Sequence, residues 1–199
     1  MSVAATQDSV LLTLDFSPLK MTDAEFYEFC QRNQDFRFEM DKEGNLIVMP
    51  PTFLETSRKN TKIDVRLGAW AEKDNTGVAF ESNGMFTLPN GAKRAPDAFW
   101  ILKERYYALS EEEREERFAR IVPDFVIELR SKSDSLKTLQ NKMSEYIENG
   151  VRLGWLIDPF ERRVHIYRAD ESVEVLENPQ KISGEDVLPG FELDLTEIW

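Results

Sequence analysis

The chain has 199 residues, with 25 Lys and Arg against 37 Asp and Glu, for a formal net charge of −12. That length suits one domain with a proper core, and 41% hydrophobic with 31% charged residues is an ordinary soluble composition. One cysteine and one histidine exclude an internal disulfide and a structural zinc site, no run approaches the roughly 18 apolar residues of a membrane span, and the acidic balance lacks the basic footprint of most nucleic-acid binders.

The opening stretch MSVAATQDSVLLTLDF has no basic n-region and no long apolar segment, so no secretory signal is expected. The single Cys30 fits a reducing, cytoplasmic setting. The first fifteen residues read as a weakly ordered or edge-strand lead-in. Thr22 with Glu25 three residues on is a capping box, predicting a helix to about Asn33 that buries Phe26, Phe29 and Cys30. Phe36–Met40 alternates like a strand, residues 41–45 turn, and Leu46–Met49 returns as a hairpin ended by Pro50 and Pro51. A long helix is predicted from Thr56 to about Lys73, with Ile63, Leu67 and Trp70 facing the core. Arg58, Lys62 and Arg66, each four apart, form a basic stripe beside that face. It reads either as a solvated surface or as a set of phosphate contacts.

Two strands follow, Val78–Glu81 with Phe86–Leu88, and then Asp97 to Leu102. Ser110 with Glu113 opens an acidic helix. Pro123–Leu129 reads as a buried central strand. Asp134 or Ser135 caps a helix whose Leu136, Leu139, Met143, Tyr146 and Ile147 form one apolar stripe, closed by Asn149 and Gly150. Val151–Ile157 and Arg163–Tyr167 are further strands, with His165 exposed on, or satisfied beside, a sheet edge. A last strand at Ser172–Leu176 precedes a loosely structured acidic tail. The order strand, helix at 135–149, strand is a β-α-β unit with parallel strands and a right-handed crossover.

The chemistry concentrates where residues 123–130 read PDFVIELR and residues 96–97 give a second Pro-Asp pair. Side chains alternate along a strand, so Glu128 and Arg130 point the same way. If the two strands are neighbours, Asp97 and Glu128 supply hard oxygen ligands for a divalent cation, and the carbonyl of Leu129 is a natural third. Arg130 offers charge and a forked donor but cannot act as a base. Lys142 stands about 40° from Tyr146 at the edge of its helix's apolar stripe, either reaching over the sheet end towards Glu128 or covering apolar surface with its stem. Asp97 and Glu128 also have plain readings, as a turn aspartate and as one half of a same-face ion pair. A glutamate late in an apolar strand is costly to bury unpaired, which favours a site. Asp124 shares the Glu128 face but lies about 13 Å away, too far to share a metal, and reads as a strand-entry aspartate. No phosphate-binding glycine loop of the Walker or dinucleotide type is present.

Over roughly residues 20–170 the chain resembles the Uma-two family, whose domain looks like the PD-(D/E)xK restriction-endonuclease fold. The likeness rests on MTDAEFYEF, the Glu39 hairpin ending VMPPT, RAPDAFWI, and the block from Pro123 to Pro159, which carries strand glutamate, serine-rich loop, helix lysine, tyrosine, Asn-Gly and a strand ending Asp-Pro. The resemblance implies that Asp97 and Glu128 bind the metal. It implies that Lys142 replaces the motif lysine missing two residues after Glu128, and that Glu39 orients a ligand or water. Arg130 departs from the family's small or apolar residue there and either supports the site or pairs with Glu128.

The expectation is therefore a single α/β domain over 1–199, with a restriction-endonuclease-like mixed central sheet flanked by helices and an N-terminal helix and β-hairpin. Its core lies at about 20–170, with an acidic extension at 171–199. The expected activity is Mg²⁺- or Mn²⁺-dependent hydrolysis of DNA phosphodiesters, assisted by Lys142 and Arg130, with Arg58, Lys62 and Arg66 on the nucleic acid and no membrane association. Cutting of two strands suggests a homodimer. The alternative is a catalytically inactive binding module on the same fold.

Overall fold

Residues 12–199 are described, in a computed structural model. The lead-in reading for residues 1–11 lies outside them. β1 (Leu12–Leu14) is a short edge strand. Thr22 accepts from the Glu25 N–H, and the Glu25 carboxylate accepts from the Thr22 N–H at 2.7 Å, so the expected capping box starts α1 (Asp23–Arg32). β2 (Arg37–Met40) and β3 (Leu46–Met49) form the expected hairpin, with Phe38 opposite Val48. α2 (Leu54–Asp74) follows, then β4 (Gly77–Glu81), β5 (Phe86–Thr87), β6 (Lys93–Arg94) and β7 (Ala98–Leu102). Two short helices, α3 (Lys103–Tyr107) and α4 (Glu111–Glu115), precede β8 (Phe125–Leu129). Ser135 caps α5 (Leu136–Glu148), and β9 (Leu153–Asp158), β10 (Arg163–Arg168) and β11 (Val173–Glu177) complete the larger sheet.

That sheet has the order β11-β10-β9-β8-β7-β4, antiparallel except for the β8–β9 pair, which is parallel as the crossover through α5 requires. Its faces are set by side-chain alternation. Phe125, Ile127 and Leu129 look to the α2 side, where Ile63, Leu67 and Ala71 pack. Val126, Phe99 and Leu156 look to the α5 side, against Leu139, Met143, Tyr146 and Ile147. Burial of these side chains, at about 25 cal/mol per Å² of apolar surface, is what holds both helices to the sheet. Gly154 lets α5 approach the sheet closely: a Cβ there would meet Met143 Cε at 2.5 Å.

Four expectations need correction. β4 and β5 do not share a sheet: β4 pairs with β7, while β5 pairs with β6 in a second sheet of order β1-β3-β2-β6-β5. Phe86 of β5 still packs edge-on against Phe99 of the larger sheet, at 5.2 Å. β2 does not alternate in burial: Phe38, Glu39 and Met40 are all buried, since β2 lies between β3 and β6 with α1 over one face. The acidic tail is not loose. β12 (Lys181–Ser183) pairs with β13 (Glu192–Asp194), a 3-10 turn covers Leu195–Glu197, and Ile182, Leu188, Phe191, Leu193, Leu195 and Ile198 are buried in the α2-side core. Its exposed charges hide a regular supply of apolar anchors, and Phe191 stacks on Trp155 at 5.7 Å. His165 is buried beside the edge strand β11, not exposed, and its Nε2 has no partner among the described residues. Burial lowers its pKa, which keeps the ring neutral.

Candidate active site

The β7–β8 register pairs Ala98 with Ile127. Continued one residue outward, it sets Asp97 opposite Glu128, on the α5 face. The two acids separated by thirty-one positions in sequence therefore meet at the end of adjacent strands. Asp97 Oδ2 accepts from the Leu129 N–H at 2.7 Å, and Asp97 Oδ1 accepts from Asn60 Nδ2 on α2 at 2.9 Å. Glu128 Oε1 accepts from Lys142 Nζ at 2.8 Å and from Tyr146 Oη at 2.9 Å. Lys142 and Tyr146 are one turn apart on α5, which explains how both reach a single oxygen.

Glu39 comes from the other sheet and closes the cluster. Its Oε1 accepts from Lys142 Nζ at 2.9 Å and from the Ala95 N–H at 2.9 Å, and its Oε2 lies 3.2 Å from Arg94 Nη1. Arg94 in turn pairs with Glu145 at 2.6 Å. These side chains line a cleft of about 650 Å³ between the two sheets and α5.

The charges are poised by burial. Desolvation pushes the Glu128 carboxyl up to about 7, with Asp97 and Glu39 adding repulsion and Lys142 opposing it. Burial also raises Asp97, against the pull of the Leu129 N–H and Lys142. For Glu39, burial works upward but Lys142 and Arg94 win, and its carboxyl is held below the usual range. Burial would discharge Lys142, yet Glu128 and Glu39 hold its ammonium above its ordinary value, so it stays protonated and cannot serve as a base.

The donor chemistry fits a hard divalent cation. Four carboxylates (Glu39, Asp97, Glu128, Glu145) face two cations (Arg94, Lys142), so the fully ionised cluster carries two uncompensated negative charges. Beside it, Asp64 Oδ1 is buried with no donor, and its carboxyl is pushed up to about 7 by burial and by the neighbouring Glu81 and Asp97. Among the described residues no three His, Cys, Asp or Glu side chains form a ready-made ligand group. Asp97 and Glu128 would be the side-chain ligands, with the Leu129 carbonyl as the third.

The sequence-predicted residues divide into two groups. Asp97, Glu128, Leu129, Lys142 and Glu39 are brought together. Arg130 is not: it lies past the end of β8, pairs with Asp158 at 2.7 Å and sits over the Phe160 ring, so the expected pair with Glu128 does not form. The cause is the end of strand alternation at Leu129, which frees the Arg130 side chain to turn towards the buried Asp158 carboxylate. Arg58, Lys62 and Arg66 stand about 120–160° around α2 from Asn60, away from Asp97. They converge on Glu197, with Lys62 at 3.0 Å, Arg66 at 2.8 Å and Arg58 Nη1 donating to its carbonyl at 3.2 Å. Asp124 holds the strand-entry role expected of it, accepting from the Leu102 N–H and pairing with Arg105.

Sequence reasoning missed Asn60, Arg94 and Glu145, and read Tyr146 as core only. Glu145 was legible in principle, three residues after Lys142 on one helix face. Arg94 and Asn60 carry no local signal, because their partners come from distant strands.

Comparison with known proteins comes to the same region of fold space. Residues 23–196 match the model of the Uma2 family, described as "Putative restriction endonuclease". A crystal structure of a "putative nuclease" from Anabaena variabilis superposes with a TM-score of 0.73 at 20% identity, covering 89% of this chain and 97% of that one. At that identity the likeness establishes the fold. A search of curated proteins gave no match.

Proposed function

The chain belongs to the Uma2 family, and on that premise we propose that it is a divalent-metal-dependent endonuclease that hydrolyses phosphodiester bonds in DNA. One observation carries the reading: Asp97 and Glu128 face each other across adjacent strands with the Lys142 ammonium between Glu128 and Glu39, all opening on one cleft.

A bound Mg²⁺ or Mn²⁺ would supply Lewis acidity and an activated water at this point. The residues do the rest. Asp97 and Glu128 would hold the cation, with the Leu129 carbonyl as third ligand. Asn60 and the Leu129 N–H prevent Asp97 from rotating away. Lys142 has three ammonium protons, two of them directed at Glu39 and Glu128, and the third can meet negative charge growing on a phosphate in the cleft. Glu39 accepts from three groups and acts as counter-ion to Lys142 and Arg94, not as a metal ligand. Arg130 supports the end of β9 through Asp158 and takes no direct part. Without a dication, the cluster's negative charge would repel a phosphodiester. Use of two copies, one per strand, and action in a reducing cytoplasm accord with the class of chemistry and the single cysteine.

The test is a cleavage assay on duplex and single-stranded DNA with Mg²⁺ and with Mn²⁺, run on the wild type and Asp97→Ala. The expected result is metal-dependent cleavage that falls to background in the variant. Equal background activity in both proteins would leave the inactive binding module, a reading that the pairing of Lys142 with two carboxylates also accommodates.

A further inference from the structure

The Glu128 carboxylate is held on one side only. Lys142 Nζ and Tyr146 Oη both donate to Oε1, at 2.8 and 2.9 Å. Among the described residues no donor reaches Oε2, and that atom is not among the buried unpartnered ones, so it opens into the cleft. The two donors are not equivalent. Lys142 is shared with Glu39 and is the cation that a phosphate would draw on. Tyr146 is fully buried, its ring is wedged among Phe86, Met143 and the sheet, and its hydroxyl makes this one hydrogen bond. Its position cannot adjust when substrate enters. A carboxylate with one oxygen pinned by an immobile donor has its other oxygen aimed in a fixed direction.

We propose that Tyr146 is a positioning residue for the metal site: by holding Glu128 Oε1, it makes Oε2 the oxygen offered to the dication, and it keeps that aim when Lys142 turns to the phosphate. This rests on the reading of Glu128 as a metal ligand. Partners that orient a ligand are worth 10–100-fold in metal affinity in other sites, which sets the size of the effect. A residue that merely filled the core would do so equally well without its hydroxyl.

The experiment measures Mn²⁺ binding calorimetrically on the full chain, without DNA, for the wild type, Tyr146→Phe and Met143→Leu, alongside thermal melts. Tyr146→Phe keeps the ring and removes only the donor. Met143→Leu disturbs the same helix–sheet contact without touching Glu128. The expected result is Mn²⁺ binding about 10–100-fold weaker in Tyr146→Phe, and unchanged in Met143→Leu even if that variant melts earlier. With DNA present, Tyr146→Phe should need correspondingly more Mn²⁺ to reach half-maximal cleavage, with the KM for DNA unchanged. Wild-type affinity in Tyr146→Phe, or equal weakening in both variants, overturns the positioning role while leaving the nuclease reading intact. Absence of Mn²⁺ binding in the wild type would bring down both.

Discussion

On the proposed reading Glu128 is the residue on which the chemistry turns, and its protonation would tie stability to metal. In the folded, metal-free protein its carboxyl titrates at about 7, against 4.5 as its ordinary value, because it is buried beside Asp97 and Glu39. Between those two pH values the folded state keeps a proton that the unfolded chain has released. This group therefore makes the protein less stable as pH rises from about 4.5 to 7. Glu39, held low by Lys142 and Arg94, works the other way: its contribution is present above its unfolded pKa and is lost as pH falls through its folded pKa. If a dication binds Glu128 as proposed, it displaces this proton, so Mn²⁺ should raise the melting temperature more at pH 8 than at pH 5.5, and its binding at pH 6 should release protons. Urea melts at stepped pH check this, with Glu128→Gln as the control. If Glu128→Gln shows the wild-type slope between pH 5 and 7, the linkage belongs to another group. The residue types of this site were legible in the strand motif and the helix lysine. Arg94 was not, because only the β2–β6 pairing places it at Glu39.

At the scale of elements, the site depends on how closely α5 lies on the sheet. Lys142 and Tyr146 reach Glu128 because Met143, between them, fits into the space that Gly154 leaves on β9. In Gly154→Ala the new Cβ would stand 2.5 Å from Met143 Cε and 3.3 Å from Val126 Cγ2. The methionine end is flexible, but it is fully buried and has little room to swing. The variant should lose about 1–3 kcal/mol in urea unfolding, because the contact between α5 and the sheet becomes overpacked. Wild-type stability in this variant would mean that Met143 repacks without moving the helix. Several element starts were readable from local rules. Thr22 and Ser135 cap where hydroxyl chemistry predicts, and the β8-α5-β9 crossover followed from apolar periodicity alone. Which strands became neighbours was not readable where two-residue strands such as β5 and β6 carry no period.

On the scale of the whole molecule, the stretch after β11 changes the meaning of two earlier features. Its apolar side chains complete the α2-side core, and its Glu197 pairs with Lys62 and Arg66 and accepts from Arg58 through its carbonyl. With those cations engaged and facing away from the cleft, Arg58, Lys62 and Arg66 changed together to Gln should leave DNA affinity nearly as it is and alter the salt dependence little. A salt slope shallower by about 3 would return all three to the nucleic-acid interface. Among the described residues no helix is long and apolar enough to cross a membrane. Composition, the capping signals and the alternation of β8 were determined by the sequence alone, because each depends on residues within one or two turns; the Asp97–Glu128–Lys142 set was implied by the family resemblance, and it is the β7–β8 pairing and the seat of α5 that bring it together. The Arg130–Asp158 pair, the Glu197 clamp, the folded end of the chain and the single-sided grip on Glu128 were decided only by tertiary structure. Each joins groups far apart in the chain, and a buried charge takes whichever counter-charge the packing brings nearest.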